Sequence, residues 1–379
     1  MNKKRIKIID IVIIAVIAAM LIINVAARLS TGFSDFYVRK IYPVISAPFV
    51  WLSGLLPFSL GELMITLAVL AVIIGIPSLI IYLVIKRKDK AKVKRASGAA
   101  LRLSCIALAY VLTTETLGCF VMYQCSTFSE RYFEPTEHTE ELLLETLEDV
   151  SLRLSQLCGE FNRDDSGYIV LDKSYVDECK SALKKVSRDY SQLSGYYPNP
   201  KGIYFSFFMS QQAIVGLYMP FAFEATYNRD TQDISKPATI CHELSHLKGI
   251  IQEDEANFVS MVACFNSDSD VVRYSGYLDA FCYLYSDAYE LLGTEYESRL
   301  RDAISAVPDF VWDNDLYSFK NTYWEDNKEK EIIPTETVQA VSEALTEANL
   351  KLNDVEEGMM IYYRVTELLM DYKASGGYI

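Results

Sequence analysis

Histidine is almost missing from this chain: 379 residues hold three, His138, His242 and His246. Any imidazole chemistry therefore falls to those positions. Cysteine occurs eight times but never with a Cys-x-x-Cys spacing, which argues against a thiolate metal site. No repeat or low-complexity segment interrupts the sequence. Positive charge is also short, with 36 Lys and Arg against 50 Asp and Glu. An acidic chain repels nucleic acid, so a nucleic-acid role is excluded.

What the chain has in excess is apolar surface, with 51% hydrophobic residues. The charge is split along it. Residues 1–123 carry 15 basic and 5 acidic residues, leaving 21 and 45 for 124–379, a net of +10 against −24. Three apolar runs, at about 8–27, 62–85 and 99–123, are each long enough to cross a bilayer as a helix. Basic residues precede the first (Lys3, Lys4, Arg5, Lys7) and separate the second from the third (Lys86 to Arg95). Short Lys/Arg-rich loops stay in the cytoplasm, so the N-terminus is expected inside and residues 124–379 outside. The first run is too long for a cleaved signal and reads as an anchor. The lipid bilayer is thus the first expected partner.

The outer part reads as mainly helix with a small sheet. Helical periodicity covers Glu137–Phe161 and about 174–193. Aromatic and β-branched runs at Ile203–Phe208 and Ile214–Phe221 read as strands, with Pro220 tolerable only at an edge or bulge. A helix follows, with Ser235 as N-cap, Pro237 in its first turn and Gly249 at its end, and another begins near Glu253. The last helix carries Met359, Met360, Ile361, Val365, Leu368 and Leu369 as a core stripe. Six cysteines (Cys125, Cys158, Cys179, Cys241, Cys264, Cys282) permit disulfides or serve as buried thiols.

Two of the three histidines fall in Cys241-His242-Glu243-Leu244-Ser245-His246, a His-Glu-x-x-His pattern. On a helix, His242 and His246 point from one face and can chelate one Zn²⁺, with Glu243 beside the open position. A catalytic zinc needs a third ligand. Glu253 is the expected one, because Glu253-x-x-Ala256-Asn257 puts a small residue and an amide on the same helix. Ala256 allows close approach, and Asn257 is placed to orient the Glu253 carboxylate. Glu255 is the alternative. A longer pattern with its third ligand at position 252 is rejected, since Gln252 is a poor zinc ligand.

These segments resemble the bacterial membrane-protein family DUF3810, among the zincin-like peptidases. The resemblance is carried by Pro57-Phe58-Ser59-Leu60-Gly61-Glu62, Gly216-Leu217-Tyr218-Met219-Pro220-Phe221 with Glu224-Ala225, Cys241–His246, Glu253–Phe258 and Arg273-Tyr274-Ser275-Gly276-Tyr277-Leu278. The exit of the third span, Leu117-Gly118-Cys119-Phe120, departs from the family pattern. The Glu-x-x-Ala-Asn element is similar to one in small zinc peptidases with a glutamate third ligand. The resemblance implies a zincin-like α+β domain behind three spans, in the plasma membrane of a bacterium. The expected activity is zinc-dependent hydrolysis of a peptide or protein substrate outside the membrane. His242, His246 and Glu253 would hold the metal, Glu243 would act as general base, and Tyr274 or Tyr277 is the candidate transition-state donor. The competing expectation is a non-catalytic zinc-bearing scaffold or sensor.

The orientation has a direct test. A periplasm-type reporter fused after Tyr123 is expected to be active, and a cytoplasmic one silent. The reverse pattern would invert the topology.

Overall fold

The computed structural model describes residues 8–159, 161–292, 297–316, 325–352 and 359–379. The basic cluster at 3–7 lies outside these residues, as do the side chains of Met359, Met360 and Ile361. The chain is mainly helical with one small three-stranded sheet. It divides into two compact units: Met1–Cys125 with Met219–Glu224, and Ser126–Tyr218 with Ala225–Ile379.

In the first unit, α1 (Ile8–Leu29) leads to α2 (Tyr42–Gly54), α3 (Leu60–Ile85) and α4 (Lys90–Gln124). Of these, α1, α3 and α4 are long and apolar enough to cross a membrane. The apolar window of α3 is 0% buried within the protein, so lipid is the solvent its side chains suit. Helix α4 starts well before the apolar run at 99. The Asp89 side chain caps it by accepting from the Lys92 amide at 3.1 Å, so Lys90 to Arg95 form its first turns. Arg102 of α4 pairs with Asp10 of α1, donating to it at 2.8 and 3.2 Å. At the start of α3, buried Glu224 accepts from Ser59 Oγ, the Leu60 amide and the Gly61 amide at 2.9, 3.1 and 2.9 Å. A carboxylate there meets the free N–H groups and the positive end of the helix dipole.

The second unit includes α5 (Glu140–Leu157), capped by Thr139, and α6 (Tyr175–Val186). Then come β1 (Lys201–Gly202), α7 (Ser206–Gln211), β2 (Gly216–Met219) and β3 (Glu224–Tyr227). The expected strand at Ile203–Phe208 is a turn and a short helix instead. Ser206 Oγ donates to the Ile203 carbonyl at 2.6 Å and accepts from the Arg229 amide at 3.0 Å. Such local side-chain bonds compete with a strand ladder, and strand propensity yields to context. The sheet order is β1-β3-β2, with β1 parallel to β3. Four residues join β2 to β3, too few for a parallel crossover, so that pair is antiparallel and β2 is an edge strand. Pro220 falls just past its end.

The helical core follows: α8 (Lys236–His246), α9 (Glu253–Phe265), α10 (Asp270–Leu292), α11 (Glu297–Ile304), α12 (Thr335–Leu352) and α13 (Met359–Ala374). The central element is α9, packed on α6, α8, α10 and α13. Its residues from Phe258 to Phe265 are all buried, as expected of a helix apolar all round. Of the last helix's expected stripe, Val365, Leu368 and Leu369 are buried. All eight cysteines are free thiols.

Two serines tie α8 to its neighbours. Ser275 of α10, fully buried, donates to the Ile234 carbonyl at 2.6 Å and accepts from the Ala238 amide at 3.1 Å. Ser260 of α9 donates to the Ala238 carbonyl at 2.7 Å. Replacing Ser275 by Ala strands a buried donor and acceptor, so S275A is expected to cost about 1–3 kcal/mol. Denaturant unfolding of the detergent-solubilised full chain measures it; an unchanged midpoint would remove this serine as a support.

Candidate metal centre

The motif occupies the C-terminal half of α8. Pro237 stands in its first turn, as the sequence suggests, but Ser235 donates its hydroxyl to the Gln232 carbonyl and makes no side-chain cap to the helix. The helix ends at His246, and the chain reverses through Gly249 at φ +83°, a conformation glycine adopts without penalty. That reversal brings the Ile250 carbonyl 2.6 Å from His246 Nδ1. The ring nitrogen therefore donates there, leaving the Nε2 lone pair free to face the site. Three residues on, α9 starts and returns Glu253 to the two imidazoles.

His242, His246 and Glu253 each offer one ligand atom, and these atoms lie within 4.8 Å of one another. His242 Nε2 is 3.1 Å from Glu253 Oε2, and His246 Nε2 is 3.9 Å from Oε1. Tetrahedral donors around Zn²⁺ stand about 3.4 Å apart, so this spacing fits the ion. The imidazole rings are perpendicular, with centroids 4.7 Å apart. The histidine side chains are 14% and 5% exposed, whereas Glu253 is 53% exposed. One flank of the cluster thus opens to solvent, and among the described residues the group has three members and no fourth.

The fourth motif residue, Glu243, is 4% exposed, and its Oε2 has no hydrogen-bond partner. Strand β2 runs directly over it: a Cβ at Gly216 would overlap the Glu243 carboxylate and the Thr239 methyl. Only a residue without a side chain permits that approach. Tyr218, also on β2, sets its ring 5.7 Å from that of His246.

Burial and charge divide the four groups. Burial works against the His242 cation, but the hydrogen bond and charge of Glu253 outweigh it and raise the pKa to about 9. Burial holds His246 down, to about 4. Burial opposes ionisation of Glu253, yet the histidines take it down to about 2. Glu243 goes the other way, to about 8, because burial dominates.

Around the cluster, Asn257 hydrogen-bonds His242, where the sequence pointed to Glu253 as its partner. Its Nδ2 donates to the Tyr283 hydroxyl at 2.9 Å. Asp279 faces His242 electrostatically and is raised to about 6 by burial, with His242 opposing. Asp279 and Tyr283 are four apart on α10, which is the only trace the sequence bears of their shared face.

Other expected residues lie elsewhere. Tyr274 donates to Asp315 at 2.6 Å, and that carboxylate is held by Arg163. Tyr277 stacks on Phe265 with centroids 4.6 Å apart. Neither meets the histidines, because they project from a different side of α10 than Asp279 and Tyr283. The alternative ligand Glu255 is fully buried and accepts from the Ser129 amide and hydroxyl at 2.8 and 2.5 Å. Two helical residues rotate it about 200° from Glu253, away from the site. His138 bonds Asp371 at 2.8 Å.

Residues 37–370 match the family described as Protein of unknown function (DUF3810). The chain belongs to the DUF3810 family. No curated protein and no solved structure matches it. The family's match covers α2 through most of α13, and so both the spans from α3 on and the whole cluster.

A carboxylate oxygen buried without a partner weakens the fold that holds it. Glu243→Met is therefore expected to raise the unfolding free energy by about 1–2 kcal/mol in chelator-treated protein. A lower stability would mean that this carboxylate is a structural group.

Proposed function

We propose that the chain is a membrane-anchored zinc metallopeptidase whose cluster lies outside the plasma membrane of a bacterium. The reading is carried by one observation: His242, His246 and Glu253 converge beside the buried carboxylate of Glu243, whose Oε2 has no hydrogen-bond partner, with one flank open. A cation-holding cluster that served only the fold would be closed by a fourth ligand.

His242, His246 and Glu253 would hold the metal. Zn²⁺ bound there supplies a Lewis acid that polarises a carbonyl and makes water more acidic. Glu243 takes the proton from the attacking water as the C–O bond forms, then hands it to the amide nitrogen as the C–N bond breaks. Raised proton affinity suits a group that must both accept and return a proton. The Ile250 carbonyl keeps His246 in one tautomer, and Asn257 orients His242. An extended peptide can pair with edge strand β2, which runs over Glu243. Tyr218 on that strand, whose ring lies 5.7 Å from that of His246, replaces Tyr274 and Tyr277 as the candidate donor to an oxyanion.

The experiment uses the full chain in detergent, with zinc analysis and a peptide-library cleavage assay. About one zinc per chain is expected in the wild type and in E243Q, and none in H242A or H246A. Cleavage should fall about 10²–10⁴-fold in E243Q. Cleavage that survives E243Q would remove Glu243 as the base. Zinc without any cleavage would favour the scaffold or sensor.

A further inference from the structure

Tyr277 has a second significance. Its side chain is 1% exposed, and its hydroxyl lacks a hydrogen-bond partner. It lines a cavity of about 370 Å³ together with Arg153, Lys185, Arg273, Phe265 and Asp268. This cavity sits at the C-terminal end of α9, the opposite end from Glu253. Three cations around one hollow stand against the background of a segment whose net charge is −24.

The bonds already made leave capacity for a ligand. Lys185 pairs with Asp268 at 2.6 Å. Arg273 pairs with Asp270 and donates to the Ser267 carbonyl at 2.8 Å. Arg153 lies over the Tyr378 ring at 4.5 Å, and its Nε meets the Ile379 carbonyl at 3.3 Å. A guanidinium has five N–H donors, more than these contacts use. The charges of Arg153 and Arg273 both act on the Tyr277 hydroxyl, which burial keeps protonated and thus a donor. A buried donor without an acceptor costs stability, and an anionic oxygen would satisfy it.

We propose that this cavity binds a compact anion, a phosphate or a carboxylate, gripped by Arg153 and Arg273 with the Tyr277 hydroxyl as third donor. Ring walls at Phe265 and Tyr378 leave room for a small organic body behind the charge. The site is separate from the metal cluster and does not depend on the peptidase reading.

The test is thermal unfolding of the full chain in detergent, at constant ionic strength, titrated with inorganic phosphate or with succinate. A saturable rise in melting temperature with at least one of them is expected. It should persist in H242A, where no metal can hold the anion. Arg153→Gln should weaken the apparent affinity at least ~10-fold. Tyr277→Phe, which removes only an unpartnered hydroxyl, should leave the anion-free melting temperature at or above that of the wild type and still weaken binding. Saturation with phosphate alone points to a phosphorylated ligand, and with succinate alone to a carboxylate. A rise that never saturates, or that is equal in wild type and both variants, is a general salt effect and overturns the site.

Discussion

The second unit depends on a carboxylate being held against two imidazoles at the elbow between α8 and α9. Glu253 spans His242 and His246, and its negative charge compensates a cluster whose histidines are largely withdrawn from water. Without that acid, two neutral imidazoles would offer a cation only two ligand atoms and no countercharge. Much of the neighbouring structure fixes the elbow. Ser260 and Ser275 bind opposite ends of the Ala238 peptide region on α8, and Gly249 turns the chain so that Ile250 can lock His246. The elbow's precision comes from hydrogen bonds to backbone groups, which do not flex as long side chains do.

The parts of this centre that were readable in the sequence are those that depend on one helix or on two helices joined by a short turn. A spacing of four puts His242 and His246 on one face whatever surrounds them. Glu253 follows within one reversal, and a glycine marks where the reversal falls. Asp279, Tyr283, Gly216 and Tyr218 were not readable, because each reaches the site through tertiary packing. For α10 the difficulty was specific: it carries Tyr274, Tyr277, Tyr283, Tyr285 and Tyr289, so aromatic content could not say which face meets the histidines. The aromatic run at 203–208 misled for a related reason. Its residues favour strands on average, but Ser206 offered the local backbone a better partner.

The first unit shows the same division. Its spans follow from hydropathy and length, since lipid imposes a simple rule on any helix that crosses it. The carboxylate held at the start of α3 does not. Glu224 comes from a position about 160 residues later, and only the folded chain reveals that the Ser59-Leu60-Gly61 amides and hydroxyl have a carboxylate waiting. Similarly, Arg102 and Asp10 are isolated charges in apolar runs until α1 and α4 come together. Each would be costly alone in lipid, and together they form a bidentate contact.

Glu253 and Glu255 show how little sequence separates a site residue from a structural one. They lie two positions apart on the first turn of one helix, in the same acidic run, with the same intrinsic chemistry. Helical rotation sends them to opposite sides. Glu255 receives the Ser129 amide and hydroxyl, faces Arg364 at 3.5 Å, and is fully buried, so its lone pairs are occupied by the fold. Glu253 keeps half its surface in water and spends its oxygens on two imidazoles. A carboxylate already satisfied by a serine and an arginine has little reason to bind a cation. One presented by a helix start to two ring nitrogens has few other partners, and that difference puts Glu253, and not Glu255, in the cluster with His242 and His246.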